Sequence, residues 1–138
     1  MIYVQKITAP EDLQKAFTIR DNVFVHGQNV PARLEHEHDD ISHHFLATIN
    51  DIPVGAARWR KTEQGYKLER FAVLKEYRGK GIAAAMIKSV LADLPKDAIY
   101  IYLNAQLDAV SVYEKNGFIK AGEQFEEAGI QHFKMVKA

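Results

Sequence analysis

Residues 68–94 read LERFAVLKEYRGKGIAAAMIKSVLADL, and this stretch decides the fold. It opens as an apolar strand, breaks at Lys75-Glu76-Tyr77, passes through Arg78-Gly79-Lys80-Gly81 and runs into a helix. Glycine adopts backbone angles that strain other residues, so two glycines around a lysine permit a tight turn whose N–H groups face inward. Ala83, Met86, Ile87, Val90, Leu91 and Leu94 then recur at three-and-four spacing, which makes one apolar stripe on one helix face. A strand, a glycine turn and a helix start in this order gather unpaired N–H groups and the positive helix end on one spot. Arg78 and Lys80 add formal charge there, and the expected ligand is a phosphate or pyrophosphate.

Two familiar phosphate loops do not fit. A nucleoside-triphosphate loop needs serine or threonine after its lysine, whereas Lys80 precedes Gly81. A dinucleotide fingerprint needs a third glycine and an acidic residue about 20 positions on.

Outward from this stretch, 138 residues suit one domain, 1–138, with room for a core but not for a second domain. Eighteen basic and eighteen acidic residues cancel. No global field then draws the chain to nucleic acid or an anionic membrane, and a βαβ RNA-binding reading with Tyr100 and Tyr102 as stacking platforms fails on charge. The absence of cysteine excludes disulfides, thiolate catalysis and cysteine-based zinc sites. No signal-like start and no apolar run of membrane length are present, so a cytoplasmic protein is expected.

Ile2–Ile7 reads as a strand, and Thr8 with Glu11 has the capping-box spacing for a helix ending at Gly27. Leu13, Ala16, Phe17 and Phe24 form its expected buried stripe. Residues 28–44 are crowded with Arg33, Glu35, His36, Glu37, His38, Asp39, Asp40, His43 and His44, and lack periodicity. Three readings stay open: a metal site, a mobile solvated segment, or an acidic wall that attracts a cationic amine. Residues 45–49, 54–59 and 66–74 read as an antiparallel meander joined by Asn50-Asp51 and Gln64-Gly65. After Pro95, Ile99–Asn104 reads as a strand parallel to 66–74, followed by a helix that stops at Asn116-Gly117 and two closing strands, 118–121 and 130–136.

Arg78-Gly79-Lys80-Gly81-Ile82-Ala83 matches Gln/Arg-x-x-Gly-x-Gly/Ala, and Ala109–Phe118, AVSVYEKNGF, follows about 30 residues later. Together with the preceding strand and the long helix, these phrases resemble the GNAT superfamily, the Gcn5-related N-acetyltransferases. The resemblance covers nearly the whole chain and is weakest over residues 28–44. It implies an α/β (α+β) fold, a mixed and mostly antiparallel sheet with helices on both faces and splayed central strands, between which acetyl-CoA wedges. It implies further that Phe71, Ala72 and Val73 line the pantetheine arm, that Arg78, Gly79, Lys80, Gly81, Ile82 and Ala83 hold the pyrophosphate, and that Asn104 contacts the cofactor arm. Tyr113 falls where the family often places a tyrosine that donates to the thioester sulfur.

For the general base the candidate is Glu69, which strand alternation would put on one face with Phe71 and Val73, half-buried and with a raised pKa. A salt bridge to Arg58 or Arg60 is the competing reading. His132 is a second candidate. Glu123, Glu126 and Glu127 could join the Glu35–Asp40 carboxylates in an acidic acceptor mouth. The expected activity is direct acetyl transfer from acetyl-CoA to a small-molecule, lysine or N-terminal amine, with no metal. The alternative is a non-catalytic acyl-CoA-binding sensor on the same fold. An edge strand at either end of the sheet could pair in a homodimer.

Overall fold

The computed structural model describes residues 1–138. One sheet carries the architecture: strands β1 (Ile2–Ile7), β2 (His43–Ile49), β3 (Ile52–Lys61), β4 (Tyr66–Val73), β5 (Ile101–Gln106), β6 (Phe118–Lys120), β7 (Phe125–Glu127) and β8 (Ile130–Lys137). The order is β1-β2-β3-β4-β5-β8-β6, with β7 on β8, and every pair except β4–β5 is antiparallel. Asn50 and Asp51 both take positive φ, the geometry of a two-residue hairpin turn, so the β2–β3 connection forms as the sequence predicts.

Helices cover both faces. On one, α3 (Ile82–Asp93) and α4 (Val110–Lys115) bury Met86, Ile87, Val90, Val110 and Tyr113 against Phe45, Val54, Leu68 and Leu103. Strand residue Gly55 lies under α3, where an added Cβ would stand 3.1 Å from Ile82 and Met86 side-chain atoms. On the other face α1 (Pro10–Arg20) packs Ala16 and Ile19, with Val23 just beyond, on Ile7, Leu46, Ala56 and Ala72.

Several sequence expectations need correction. The first helix starts from Ala9 with no side-chain cap, so Thr8 and Glu11 form no capping box, and beyond Arg20 it continues as a π-helical stretch over Asp21–His26. The fifth strand begins two residues late, at Ile101, leaving Ile99 almost fully exposed. Strand β7 gave no apolar signal and was missed.

The most consequential correction lies in β4. Arg70 has φ +58°, and the register with β3 shifts there, since Ala56 faces Ala72 but Arg58 faces Glu69. The extra residue is a β-bulge, which reverses the side-chain alternation beyond it. Leu68 therefore shares the α3 face with Phe71 and Val73, and Glu69 points to the opposite, α1 face.

Candidate active site

Strands β4 and β5 pair over Tyr66–Leu68 and Ile101–Leu103 only. Beyond that point they part, and a cleft of about 970 Å³ opens between them. Leu74 donates its N–H to the Val54 carbonyl of β3 at 3.0 Å. By alternation the backbone polar groups of Phe71 and Val73 point to the other edge, into the cleft. Phe71, Ala72, Val73, Arg78, Gly79, Gly81, Ile82, Ala83 and Asn104 all line it.

The loop before α3 has the geometry of an anion cradle. Gly79 and Gly81 sit at φ +79° and +84°, and a Cβ on either would meet nothing within 4 Å, so conformation and not crowding demands glycine. No protein acceptor takes the N–H groups from Gly79 through Ala84, and the helical ladder starts only with Ala85 donating to Gly81 at 3.1 Å. Arg78 turns back, its Nε donating to the Val73 carbonyl at 3.1 Å. Lys80 is exposed and lies outside the cleft lining, whereas Lys88, one turn after Ala84, lines it. Helical spacing could have identified Lys88.

Tyr113, on α4, is buried edge-on against Phe71 with ring centroids 6.0 Å apart. Burial pushes its phenol above the usual tyrosine range. No protein group pairs with its hydroxyl, which is not sealed from the cleft it lines. His132, on β8, is 7% exposed and donates Nδ1–H to the Ile130 carbonyl at 2.7 Å. A carbonyl can only accept, so in the neutral ring Nε2 keeps its lone pair.

Both premises for Glu69 as a general base are corrected here. The bulge at Arg70 removes it from the Phe71 face, and its pKa falls instead of rising. Burial alone would raise it, but a hydrogen bond from Arg60 and the charges of Arg58, Lys67 and Arg60 hold it at about 2 instead of its ordinary 4.5. The competing salt-bridge reading is the one observed, with Arg58 Nη2 at 2.9 Å and Arg60 Nε at 2.7 Å.

Residues 28–44 are likewise not solvated throughout: Arg33, Glu37 and Asp40 are exposed, but Glu35 and Asp39 turn inward. Glu35 is 1% exposed and accepts from the wholly buried Arg20 at 3.2 and 2.9 Å. Asp39 accepts from Arg20 at 2.8 Å and from Arg58 at 2.6 Å. Asp21, Glu35 and His36 bring ligating atoms within 4.8 Å of one another, yet Glu35 is committed to Arg20 and His36 to Asp21 and Asp39. The expected acidic wall is therefore neutralised from within. Glu127 and Glu37 do reach the cleft rim, while Glu123 and Glu126 do not.

This network should respond to acid. Glu69 and Asp39 both titrate below the usual carboxylate range, so their ionised forms favour the fold. That contribution is complete above about pH 5 and is lost as pH falls toward 2. Urea melts between pH 6 and pH 2.5 should show a falling midpoint, and Glu69→Gln should flatten the slope.

The family model described as an acetyltransferase (GNAT) domain matches residues 7–138. The chain is 40% identical over 130 residues to the uncharacterized N-acetyltransferase YjcF of Bacillus subtilis (strain 168), covering 92% of this chain and 93% of that protein. Among solved structures, Escherichia coli ElaA superposes with a TM-score of 0.84 at 27% identity over 100% of both chains. A GNAT acetyltransferase of Elizabethkingia anophelis with acetyl-CoA bound shares the fold at a TM-score of 0.69 and 17% identity, covering 98% of this chain and 94% of that one. With its glycine loop ahead of α3 and its parted β4 and β5, the chain belongs to the GNAT acetyltransferase family.

Proposed function

We propose that residues 1–138 act as one acyltransferase domain that moves the acetyl group of acetyl-CoA to a primary amine by direct attack in a ternary complex. The observation that carries this reading is the run of unpaired N–H groups from Gly79 through Ala84, opening at one end of the cleft that also receives the Phe71 backbone and the Tyr113 hydroxyl. Family membership and the acetyl-CoA bound in the Elizabethkingia anophelis structure support the choice of acyl donor.

The chemistry divides among residues on three elements. The loop N–H groups and the start of α3 hold the pyrophosphate. Phe71 and Val73 pair with the pantetheine arm in place of the missing β5 neighbour, and Asn104 flanks the arm from β5. The Phe71 N–H donates to the thioester oxygen and stabilises the negative charge that grows there, a contribution of about 3 to 4 kcal/mol for a well-aimed donor. His132 Nε2 takes the proton from the attacking amine, the C–N bond forms, and the C–S bond breaks. Tyr113 donates a hydrogen bond to the departing sulfur. Because burial raises its phenol further above a thiol near 8.5, it stabilises the thiolate without surrendering its proton. Glu69 acts through Arg58 and Arg60 as an anchor for the cleft wall.

The test is a thermal unfolding titration with acetyl-CoA beside ATP and NAD, joined to a CoA-release assay with an amine panel. Acetyl-CoA at about 100 times its Kd should stabilise the fold by roughly 2.7 kcal/mol, and ATP and NAD should not. Gly81→Glu should weaken acetyl-CoA at least tenfold, because a side chain at φ +84° costs about 1–2 kcal/mol and its charge repels the pyrophosphate. No acetyl-CoA shift would sink the donor assignment.

A further inference from the structure

The acceptor end of the cleft has a charge that the acidic sequence of residues 35–40 conceals. We infer that Arg60, Lys67 and Arg70 form an anion-binding subsite there, so that the amine acetylated by this chain also carries a carboxylate or phosphate group. The inference rests on the acyltransferase function proposed above and names its substrate class.

The buried network supplies the charge. Arg20 and Arg58 are completely sealed and bind the carboxylates of Glu35, Asp39 and Glu69 among them. Those two cations and three carboxylates leave one negative charge, on Glu69. Against it stand Arg60 and Lys67, each with a side chain 15% exposed, and Arg70, 27% exposed. Five cations therefore share three carboxylates, with Arg60 and Lys67 both on Glu69 and Arg70 Nε 3.4 Å from Glu35 Oε1, a formal excess of two positive charges among these residues.

Donors remain as well as charge. Arg60 offers Nε and Nη2 to Glu69 at 2.7 and 3.4 Å, and its Nη1 has no protein acceptor. Arg70 gives Nε and Nη2 to the carbonyls of Glu35 and Leu34 at 3.0 and 2.9 Å, with Nε also 3.4 Å from the Glu35 carboxylate, again leaving Nη1 over. Lys67 Nζ makes one contact, 3.1 Å from Glu69. All three residues line the cleft. Burial first, then the adjacent Arg58 charge, push Arg70 below the usual arginine range, against the opposing pull of Glu69 and Glu35. The rim carboxylates Glu37 and Glu127 have side chains 58% and 48% exposed, so solvent screens them and they offset cations at the wall only weakly.

Position sets the size of the acceptor. The αL bulge places Arg70 at the cleft, next to Phe71, whose N–H is assigned above to the thioester oxygen. An arginine side chain reaches only a few bonds from that point. The anionic group must then lie close in the acceptor to its reacting nitrogen, as in an amino acid or a short aminoalkyl phosphate.

The experiment compares acceptors matched in all but the anion: glycine against glycinamide, and O-phosphoethanolamine against 2-methoxyethylamine. Each is assayed by CoA release with the wild type, Arg60→Gln and Lys67→Gln, while acetyl-CoA affinity is measured separately by thermal shift. The expected result is a kcat/KM at least tenfold higher for the anionic member of one pair, since charge-assisted bonds are among the strong ones. Which pair responds separates carboxylate from phosphate. Lys67→Gln should raise KM for the anionic acceptor about tenfold, leave the neutral acceptor unchanged and leave acetyl-CoA affinity intact, whereas Arg60→Gln, which also loosens Glu69, should raise KM for the anionic acceptor at least as far. Lys67→Gln keeps the Arg58–Glu69 pair, so it remains informative should Arg60→Gln fold poorly. Equal or better use of the neutral amines overturns the subsite while the acyltransferase stands, as does acetyl-CoA binding with no turnover of either anionic amine. Failure to bind acetyl-CoA at all overturns the underlying function instead.

Discussion

Tyr113→Phe is expected to lower kcat by about two orders of magnitude, the low end of the range for one hydrogen-bond donor aimed at developing charge, while leaving acetyl-CoA affinity within about twofold. The substitution removes one hydroxyl oxygen and keeps the ring, so the contacts with Phe71 and Phe118, centroids 6.0 Å away in each case, survive. Because the hydroxyl has no partner inside the protein, its loss leaves no buried group unsatisfied, and stability should be nearly unchanged. The effect should then appear in the chemical step alone, where charge develops on the departing sulfur. Steady-state kinetics with the best acceptor, beside an acetyl-CoA titration, separate the two quantities. This variant also decides between enzyme and sensor. A sensor would show no wild-type turnover to lose, and an enzyme whose kcat survives the change must stabilise its leaving group elsewhere.

Arg58→Ala should cost about 3–5 kcal/mol and lower the melting temperature by roughly 10 °C or more. Arg58 is 0% exposed and binds Asp39 at 2.6 Å and Glu69 at 2.9 Å. Removing it takes one cation from each of two carboxylates in a poorly hydrated site and opens a cavity where the side chain lay. Glu69 retains Arg60 and Lys67, and Asp39 retains Arg20, which is why the loss should fall short of unfolding outright. Melts followed by circular dichroism give the number. The double variant Arg58→Ala/Glu69→Gln should lose less than the sum of the single losses, because one stranded charge is removed along with its partner. Strict additivity would mean that the two side chains do not interact energetically.

The legible and illegible parts of this protein differ in the range of the interactions that produce them. Chain-local physics covers the glycine loop, the apolar stripe of α3 with Met86, Ile87 and Val90 buried, the Asn50-Asp51 turn and the stop at Asn116-Gly117, where Gly117 has φ +93°. Each depends on residues within a few positions of one another, so each appears in the sequence as a spacing. Phe71, Val73 and Tyr113 line the cleft for the same reason, since strand, loop and helix phrases identify their elements.

Glu69 shows where such reading stops. Its expected face depended on strict alternation, and one residue, Arg70 at φ +58°, reversed it. Nothing in the sequence around Arg70 marks it for positive φ, because arginine is an unusual occupant of that region and the bulge is set by pairing with β3. The same holds for residues 35–40, whose acidic run reads as a solvated wall until α1 and β3 bring Arg20 and Arg58 to it from 15 or more residues away.

The sequence by itself therefore determined the class of fold, the glycine loop and the absence of cysteine chemistry, all consequences of composition and of contacts between near neighbours. Only the tertiary structure decided the pairing and the ionisation of Glu69, because a pKa is a sum over charges that folding alone brings together.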